Sequence, residues 1–64
     1  MNYEQRLDTV VTHAWEAWTN NGIGLDIEER EETAKTVRDA ATNAYVDEMT
    51  DAQWLAVTLK RLGA

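Results

Sequence analysis

The 64-residue sequence contains no cysteine and no proline, and it has only one histidine. Without cysteine the chain has neither disulfide bonds nor thiolate metal ligands, and one imidazole is too few for the usual zinc sites. A chain this short buries only about 60% of the surface that its unfolded form exposes, so its core must be dense or supported by self-association. We therefore expect a single domain, residues 1–64, that holds no metal ion or other cofactor.

Long apolar segments are also missing. No run approaches the roughly 20 apolar residues that a membrane-spanning helix needs. The first residues, Met-Asn-Tyr-Glu-Gln-Arg, lack the basic start and the apolar stretch of a secretory signal peptide. These absences predict a cytoplasmic protein that does not act at a membrane.

The residues that are present predict three α-helices, because apolar side chains recur at helical spacing in three blocks. Each block begins with a capping-box pattern, in which a polar residue precedes the helix and a glutamine or glutamate follows three residues later. The three pairs are Asn2 with Gln5, Asp26 with Glu29, and Thr50 with Gln53. We predict an all-α three-helix bundle with helices over about residues 3–19, 27–48 and 51–62.

Apolar stripes identify the expected core. They comprise Tyr3, Leu7, Val10, Val11, Ala14 and Trp18 on the first helix, Ile27, Ala34, Val37, Ala41, Ala44 and Tyr45 on the second, and Leu55, Leu59 and Leu62 on the third. We also expect Trp54 in the core, and expect Ile23 and Leu25 to plug the open end of the bundle. Glu48 falls within the second stripe, so either the helix frays before it, or Glu48 caps or pairs locally near residues 49–50. A two-helix hairpin that dimerises, with the third helix on the partner, is the alternative architecture.

Side chains suited to catalysis or metal binding are few. His13 lies off the apolar stripe beside Glu16 and is interpreted as a surface residue, because the chain has no serine, no cysteine and no glycine-rich phosphate loop to make a site with it. Residues 20–32 have the composition of a calcium loop, but neither placement of their glycines puts oxygen ligands where an EF-hand requires them. We therefore expect that the protein is not an enzyme.

The balance of charge argues against direct binding to nucleic acid. Six basic residues stand against twelve acidic ones, whereas contact with phosphates requires lysine and arginine. Lys60 and Arg61 lie at the C-terminal end of the third helix, not at the N-terminal end that would read DNA. A protein partner is the better expectation.

Most of the net charge of −6 lies in residues 26–49, which carry eight acids and three bases. Glu28, Glu29, Glu32 and Asp39 are the predicted partner-binding residues. Glu28 and Glu32 are separated by a rise of about 6 Å, close to the spacing of successive phosphates along a strand. A rigid helix with this pattern would dock on a basic surface built for nucleic acid, so the expected partner is a basic nucleic-acid-binding protein.

In size, acidity and lack of catalytic residues the chain is similar to small inhibitors that phages and mobile elements encode. Anti-CRISPR, anti-restriction and other DNA-mimic proteins belong to that group. The similarity is one of character and involves no specific motif. It implies an inhibitor or modulator of a nucleic-acid-binding protein.

Apolar residues that lie off the stripes support a second hypothesis. Trp15 lies at the edge of the apolar arc of the first helix, while Val46 and Val57 point away from the stripes of the other two. Trp15 is interpreted as either a core residue or a contact residue, since tryptophan is favoured at binding hot spots. Grouped together, the three would make a patch for an adaptor or a homodimer.

Overall fold

The computed structural model describes residues 2–63 and contains three α-helices, Tyr3–Thr19 (α1), Ile27–Ala44 (α2) and Asp51–Arg61 (α3). All three pairs of helices are in contact, so α3 packs against its own chain. The radius of gyration of the Cα atoms is 11.3 Å, close to the roughly 11 Å expected for a compact chain of this length. The predicted three-helix bundle is confirmed, and the dimerising hairpin is not the architecture of this chain.

The start of each helix follows from its capping box. The side chains of Asn2, Asp26 and Thr50 accept hydrogen bonds from the third helical N–H at 2.9, 2.8 and 3.1 Å, and the glutamine or glutamate at that position accepts from the cap N–H in return. Asn20 and Asn21 then end α1, with φ of 56° and 61° in the left-handed region. All three predicted capping boxes and the end of α1 are confirmed.

The C-terminal end of α2 differs from the prediction. The helix stops at Ala44, not at residue 48, and Tyr45 is extended with φ −66° and ψ 132°. Glu48 takes a left-handed φ of 72° in the turn that follows. One more helical turn would aim the Glu48 carboxylate at the core, about 20° from the direction of Val37. Ending the helix early avoids that burial, which is one of the two outcomes expected for Glu48.

Trp54 lies at the centre of the core, which α1, α2 and α3 all supply. Its side chain is fully buried and its Nε1–H donates to the carbonyl of Ala41 at 2.7 Å, so the indole satisfies its one polar group. The other buried apolar residues are Leu7, Val10, Val11, Ala14, Val37, Ala41 and Ala44. Small residues on α2 let the neighbouring helices approach closely. The predicted core position of Trp54 is confirmed.

Arg6 and three aromatic rings close the end of the bundle where α2 ends and α3 begins. The Tyr45 ring lies 5.0 Å from that of Tyr3 and 4.7 Å from that of Trp54, centroid to centroid. Arg6 extends over the rings of Tyr45 and Trp54 and donates to the carboxylate of Asp51 at 2.7 Å and to the carbonyl of Met49 at 2.8 Å. The hydrogen bond to Asp51 raises the pKa of Arg6 above its ordinary value. Arg6 therefore ties α1 to the start of α3.

The opposite end of the bundle contradicts two predictions. Ile27 was expected in the stripe of α2 and Ile23 as a plug, but they are 74% and 73% exposed. Leu25, the other predicted plug, is half-buried. The cause is the length of α3. Trp54 of α3 is hydrogen-bonded to Ala41 of α2, and α3 continues for only seven residues, about 10 Å, beyond Trp54. Ile27 lies about 21 Å along α2 from Ala41. The first turns of α2 therefore extend beyond α3.

Candidate partner-binding surface

Three of the predicted contact residues form a line on the outer face of α2. Glu28, Glu32 and Asp39 fall within about 40° of one another around the helix axis and about 160° from the buried Val37. All three side chains are exposed. The structure thus brings these carboxylates together on the face that points away from the core.

Lys35 lies on the same face and changes its charge pattern. It falls between Glu32 and Asp39, within about 60° of both around the axis, and is exposed. The acidic character of α2 is therefore concentrated toward its N-terminal end. Five acids lie there within seven residues: Asp26, Glu28, Glu29, Glu31 and Glu32. We call these five residues the acidic start of α2.

Arg6, Arg30 and Arg38 form no ion pair with this acidic start, because each is held by other groups of the fold. Arg30 donates through Nε to the carbonyl of Leu25 at 3.2 Å and through Nη2 to that of Gly22 at 3.0 Å. Arg38 pairs with Asp8 of α1 at 2.6 Å, and Arg6 is held by Asp51. Among residues 2–63 these two ion pairs are the ones within 4.0 Å, so no carboxylate of the acidic start has a cationic partner in the fold.

Glu29, the fourth predicted carboxylate, has a structural role as well. Its Oε1 accepts from the N–H of Asp26 at 3.3 Å in the capping box, while the residue itself remains exposed. Acids in the first turn of a helix also favour its dipole, so part of this charge stabilises α2 whatever it binds. Glu28 shares this first-turn position with Glu29, but neither Glu28 nor Glu32 takes part in the capping box.

Trp15 lies apart from the carboxylates. Its ring is half-buried between α1 and α2 and its Nε1–H donates to the hydroxyl of Thr33 at 2.9 Å. Thr33 lies about 120° around α2 from the line of Glu28, Glu32 and Asp39. Trp15 therefore packs on the core and supports the α1–α2 connection, and the structure does not bring it beside the predicted acidic contacts.

The predicted apolar patch is also divided. Val46 is 63% exposed and Val57 37% exposed. Thr33, which Trp15 contacts, is about 16 Å along α2 from its last residue, and Val46 lies beyond that end. Trp15 on α1 and Val46 beyond the end of α2 thus lie far apart along the bundle and do not form one patch.

His13 lies at a shallow groove between α1 and α3 that Thr9, Val10, Asp51, Ala52 and Leu55 also line. Its side chain is exposed, as predicted. The hydroxyl of Thr9 donates to the carbonyl of Gln5 at 3.0 Å, and Asp51 accepts from Arg6, so these two polar side chains of the groove are used within the fold. Within residues 2–63 no three acidic or histidine side chains gather as metal ligands would.

The sequence reasoning missed two residues with a potential functional role, Ile23 and Ile27. Leu25, Asp26, Ile27, Glu28 and Arg30 surround an open depression at the start of α2. A signal for their exposure was present in the sequence: Arg30 and Thr33 occupy the core-facing positions of the first turns of α2, which predicts little apolar packing there.

Comparison with known proteins adds no further constraint on function. The chain matches no protein-family model, no curated protein and no solved structure. In the part of the chain that the structure describes, no helix has the length and apolar character needed to cross a bilayer. The charge and exposure of the described surface therefore carry the functional argument.

Proposed function

We propose that this chain is a small non-enzymatic binding protein whose acidic start of α2 docks on a basic, nucleic-acid-binding surface of a protein partner. It would act as an inhibitor or modulator, as DNA-mimic anti-CRISPR and anti-restriction proteins do. One observation carries the proposal: Glu28 and Glu32 are exposed, point away from the core and have no cationic partner among residues 2–63. A basic surface on the partner would supply the positive charge that these carboxylates do not meet within residues 2–63.

Physical reasons favour a rigid acidic helix for this task. The carboxylates are held on a capped helix, so little conformational entropy is lost when they bind. Opposite charges also steer the two proteins together and raise the association rate, an effect that salt screens within about 10 Å at 0.1 M. Binding of this kind is strongest at low ionic strength.

The alternative, homo-oligomerisation through Trp15, Val46 and Val57, has weaker support. Trp15 is hydrogen-bonded to Thr33 inside the bundle and lies far from Val46 along α2. A net charge of −6 on 64 residues also opposes the approach of two copies. The acidic surface is therefore the stronger candidate.

The test compares two double variants with equal changes in charge. E28K/E32K reverses the proposed surface, while E4K/E16K reverses one first-turn glutamate and one later glutamate on α1, both exposed. Each immobilised protein is incubated with an extract of the source cells, and captured proteins are identified by mass spectrometry. We expect the wild type and E4K/E16K to retain a nucleic-acid-binding protein, and E28K/E32K to lose it.

Two further readouts make the result decisive. Raising NaCl from about 0.1 M to about 0.5 M should release the captured protein, because it shortens the range of charge attraction. Duplex DNA should displace it, since both ligands would share one basic surface. Capture that survives the E28K/E32K change and the high salt would rule the proposal out.

A further inference from the structure

Ile23 and Ile27 have the most exposed large apolar side chains described in the molecule, at 73% and 74%. They are four positions apart in the sequence, so their Cα atoms lie at most about 14 Å apart. Leu25, between them, is half-buried and lines the open depression at the start of α2. Single exposed apolar residues are ordinary, whereas two isoleucines and a half-buried leucine within five residues concentrate apolar surface at one corner. We call Ile23, Leu25 and Ile27 the isoleucine corner.

The conformation of this corner does not depend on the exposed side chains. Arg30 holds the carbonyls of Gly22 and Leu25, and the capping box of Asp26 fixes the start of α2. Gly22 is buried against the ring of Trp15 and has a positive φ of 75°. The backbone thus presents both isoleucines to solvent in a fixed position, which lowers the entropy lost when another molecule covers them.

The charges around the corner indicate what would cover it. Asp26 and Glu28 are the neighbours of Ile27 along the chain, and Glu31 lies one turn further on the same side of the helix. Arg30 places one positive charge beside the corner, where its guanidinium donates to the carbonyls of Gly22 and Leu25, so these three carboxylates still leave the rim net negative. A second copy would bring two acidic rims together, and an anionic lipid surface would be repelled in the same way.

We infer that the isoleucine corner is the hydrophobic anchor of the partner interface, and that it fits a protein surface in which an apolar depression is bordered by lysine and arginine. The inference rests on the proposed function and deepens it. In this interface the acidic start of α2 supplies steering and orientation, while Ile23 and Ile27 supply buried apolar area. Such a division, with apolar anchors inside a charged rim, is the usual anatomy of protein interfaces.

Two fluorescent peptides of equal charge separate the contributions. One carries ten lysines alone, and the other carries ten lysines interleaved with leucines. Fluorescence anisotropy at low salt gives the affinity of each peptide for the wild type, for I23S/I27S, for E28K/E32K and for V46S. Val46, 63% exposed at the other end of α2, is the matched control for removing an exposed aliphatic side chain.

We expect the wild type and V46S to bind the lysine–leucine peptide at least about tenfold more tightly than decalysine, which is about 1.4 kcal/mol. I23S/I27S should bind both peptides equally, at the affinity of decalysine. E28K/E32K should bind both peptides more weakly than the wild type does. A preference for the leucine peptide that I23S/I27S retains would overturn the anchor, while the proposed function would stand if E28K/E32K still weakens both.

Two other outcomes count against the inference. If E28K/E32K has no effect on either peptide, the proposed function fails and the anchor fails with it. If sedimentation at micromolar concentration shows a wild-type dimer that I23S/I27S converts to a monomer, the corner binds a second copy and the assignment to a basic partner is overturned.

Discussion

At one end of the bundle the rings of Tyr3, Tyr45 and Trp54 pack with centroids 4.7 to 5.7 Å apart, whereas at the other end Ile23 and Ile27 remain almost three-quarters exposed. We call the first the aromatic end. α1, with 17 residues and a length of about 25 Å, separates it from the isoleucine corner. Both ends carry large apolar side chains, so the difference lies in what packs against them.

The length of α3 explains this difference. Its 11 residues begin at the aromatic end and do not reach the start of the 18-residue α2. A chain of 64 residues has too little core to cover both ends equally. Stability is therefore concentrated at the aromatic end, and the corner that α3 leaves uncovered is the part that is free to bind.

Replacing Trp54 by alanine should have the largest effect. Removing a large buried aromatic side chain costs about 3–5 kcal/mol, and a domain of this size has only roughly 3–10 kcal/mol in total. We expect W54A to lose its cooperative thermal transition by circular dichroism. W54F keeps most of the buried volume and should still fold. Its loss of stability should be smaller and should include the loss of the hydrogen bond to the carbonyl of Ala41. A W54A variant as stable as the wild type would show that the aromatic end does not hold the bundle together.

The two glycines of the α1–α2 connection allow a finer comparison, because both have positive φ but only one is crowded. A Cβ at Gly22 would lie 2.5 Å from Cη2 of Trp15, whereas a Cβ at Gly24 meets nothing within 4 Å. The left-handed backbone alone costs about 1–2 kcal/mol in G24A, and the clash adds about 1–3 kcal/mol in G22A. Urea unfolding should therefore give a lower free energy of unfolding for G22A than for G24A. Equal losses would mean that Trp15 does not pack on this turn.

Local signals in the sequence were enough to place the helix starts, because a capping box requires only residues that are three positions apart. Asn2, Asp26 and Thr50 each cap the helix that was predicted from them. The end of α1 was equally local, since Asn20 and Asn21 tolerate left-handed backbone. These features involve no distant part of the chain.

The end of α2 and the exposure of Ile27 depend on distant parts of the chain. Periodicity continues the helix to Glu48, but Tyr45 leaves it and its ring packs against those of both Tyr3 and Trp54. Periodicity also assigns Ile27 to the buried face, although a face is buried only where another helix reaches it. Both errors arise from the relative lengths and positions of the helices, and the polar residues Arg30 and Thr33 at core-facing positions were the local signal of this for Ile27.

The candidate site could be predicted only where it depends on positions within one helix. Helical spacing placed Glu28, Glu32 and Asp39 on one face, because the angle between residues of one helix is fixed. Helical spacing did not show that Arg30 donates a hydrogen bond to the carbonyl of Leu25 or that Arg38 forms an ion pair with Asp8. It also gave no sign that Trp15 is bonded to Thr33, since that contact joins two helices.

The smallest expected effect on stability is that of I23S/I27S, and it is the sharpest check on the contrast between the two ends. Surface substitutions away from packed features change the free energy of unfolding by about 0.5 kcal/mol or less, and both isoleucines are more than 70% exposed. Urea unfolding should therefore give the same midpoint and slope for the variant and the wild type. A loss above about 1 kcal/mol would mean that these side chains pack on the bundle in solution, because solvated isoleucines have no such energy to lose. The corner would then belong to the core, and its exposure would no longer separate the binding end from the aromatic end.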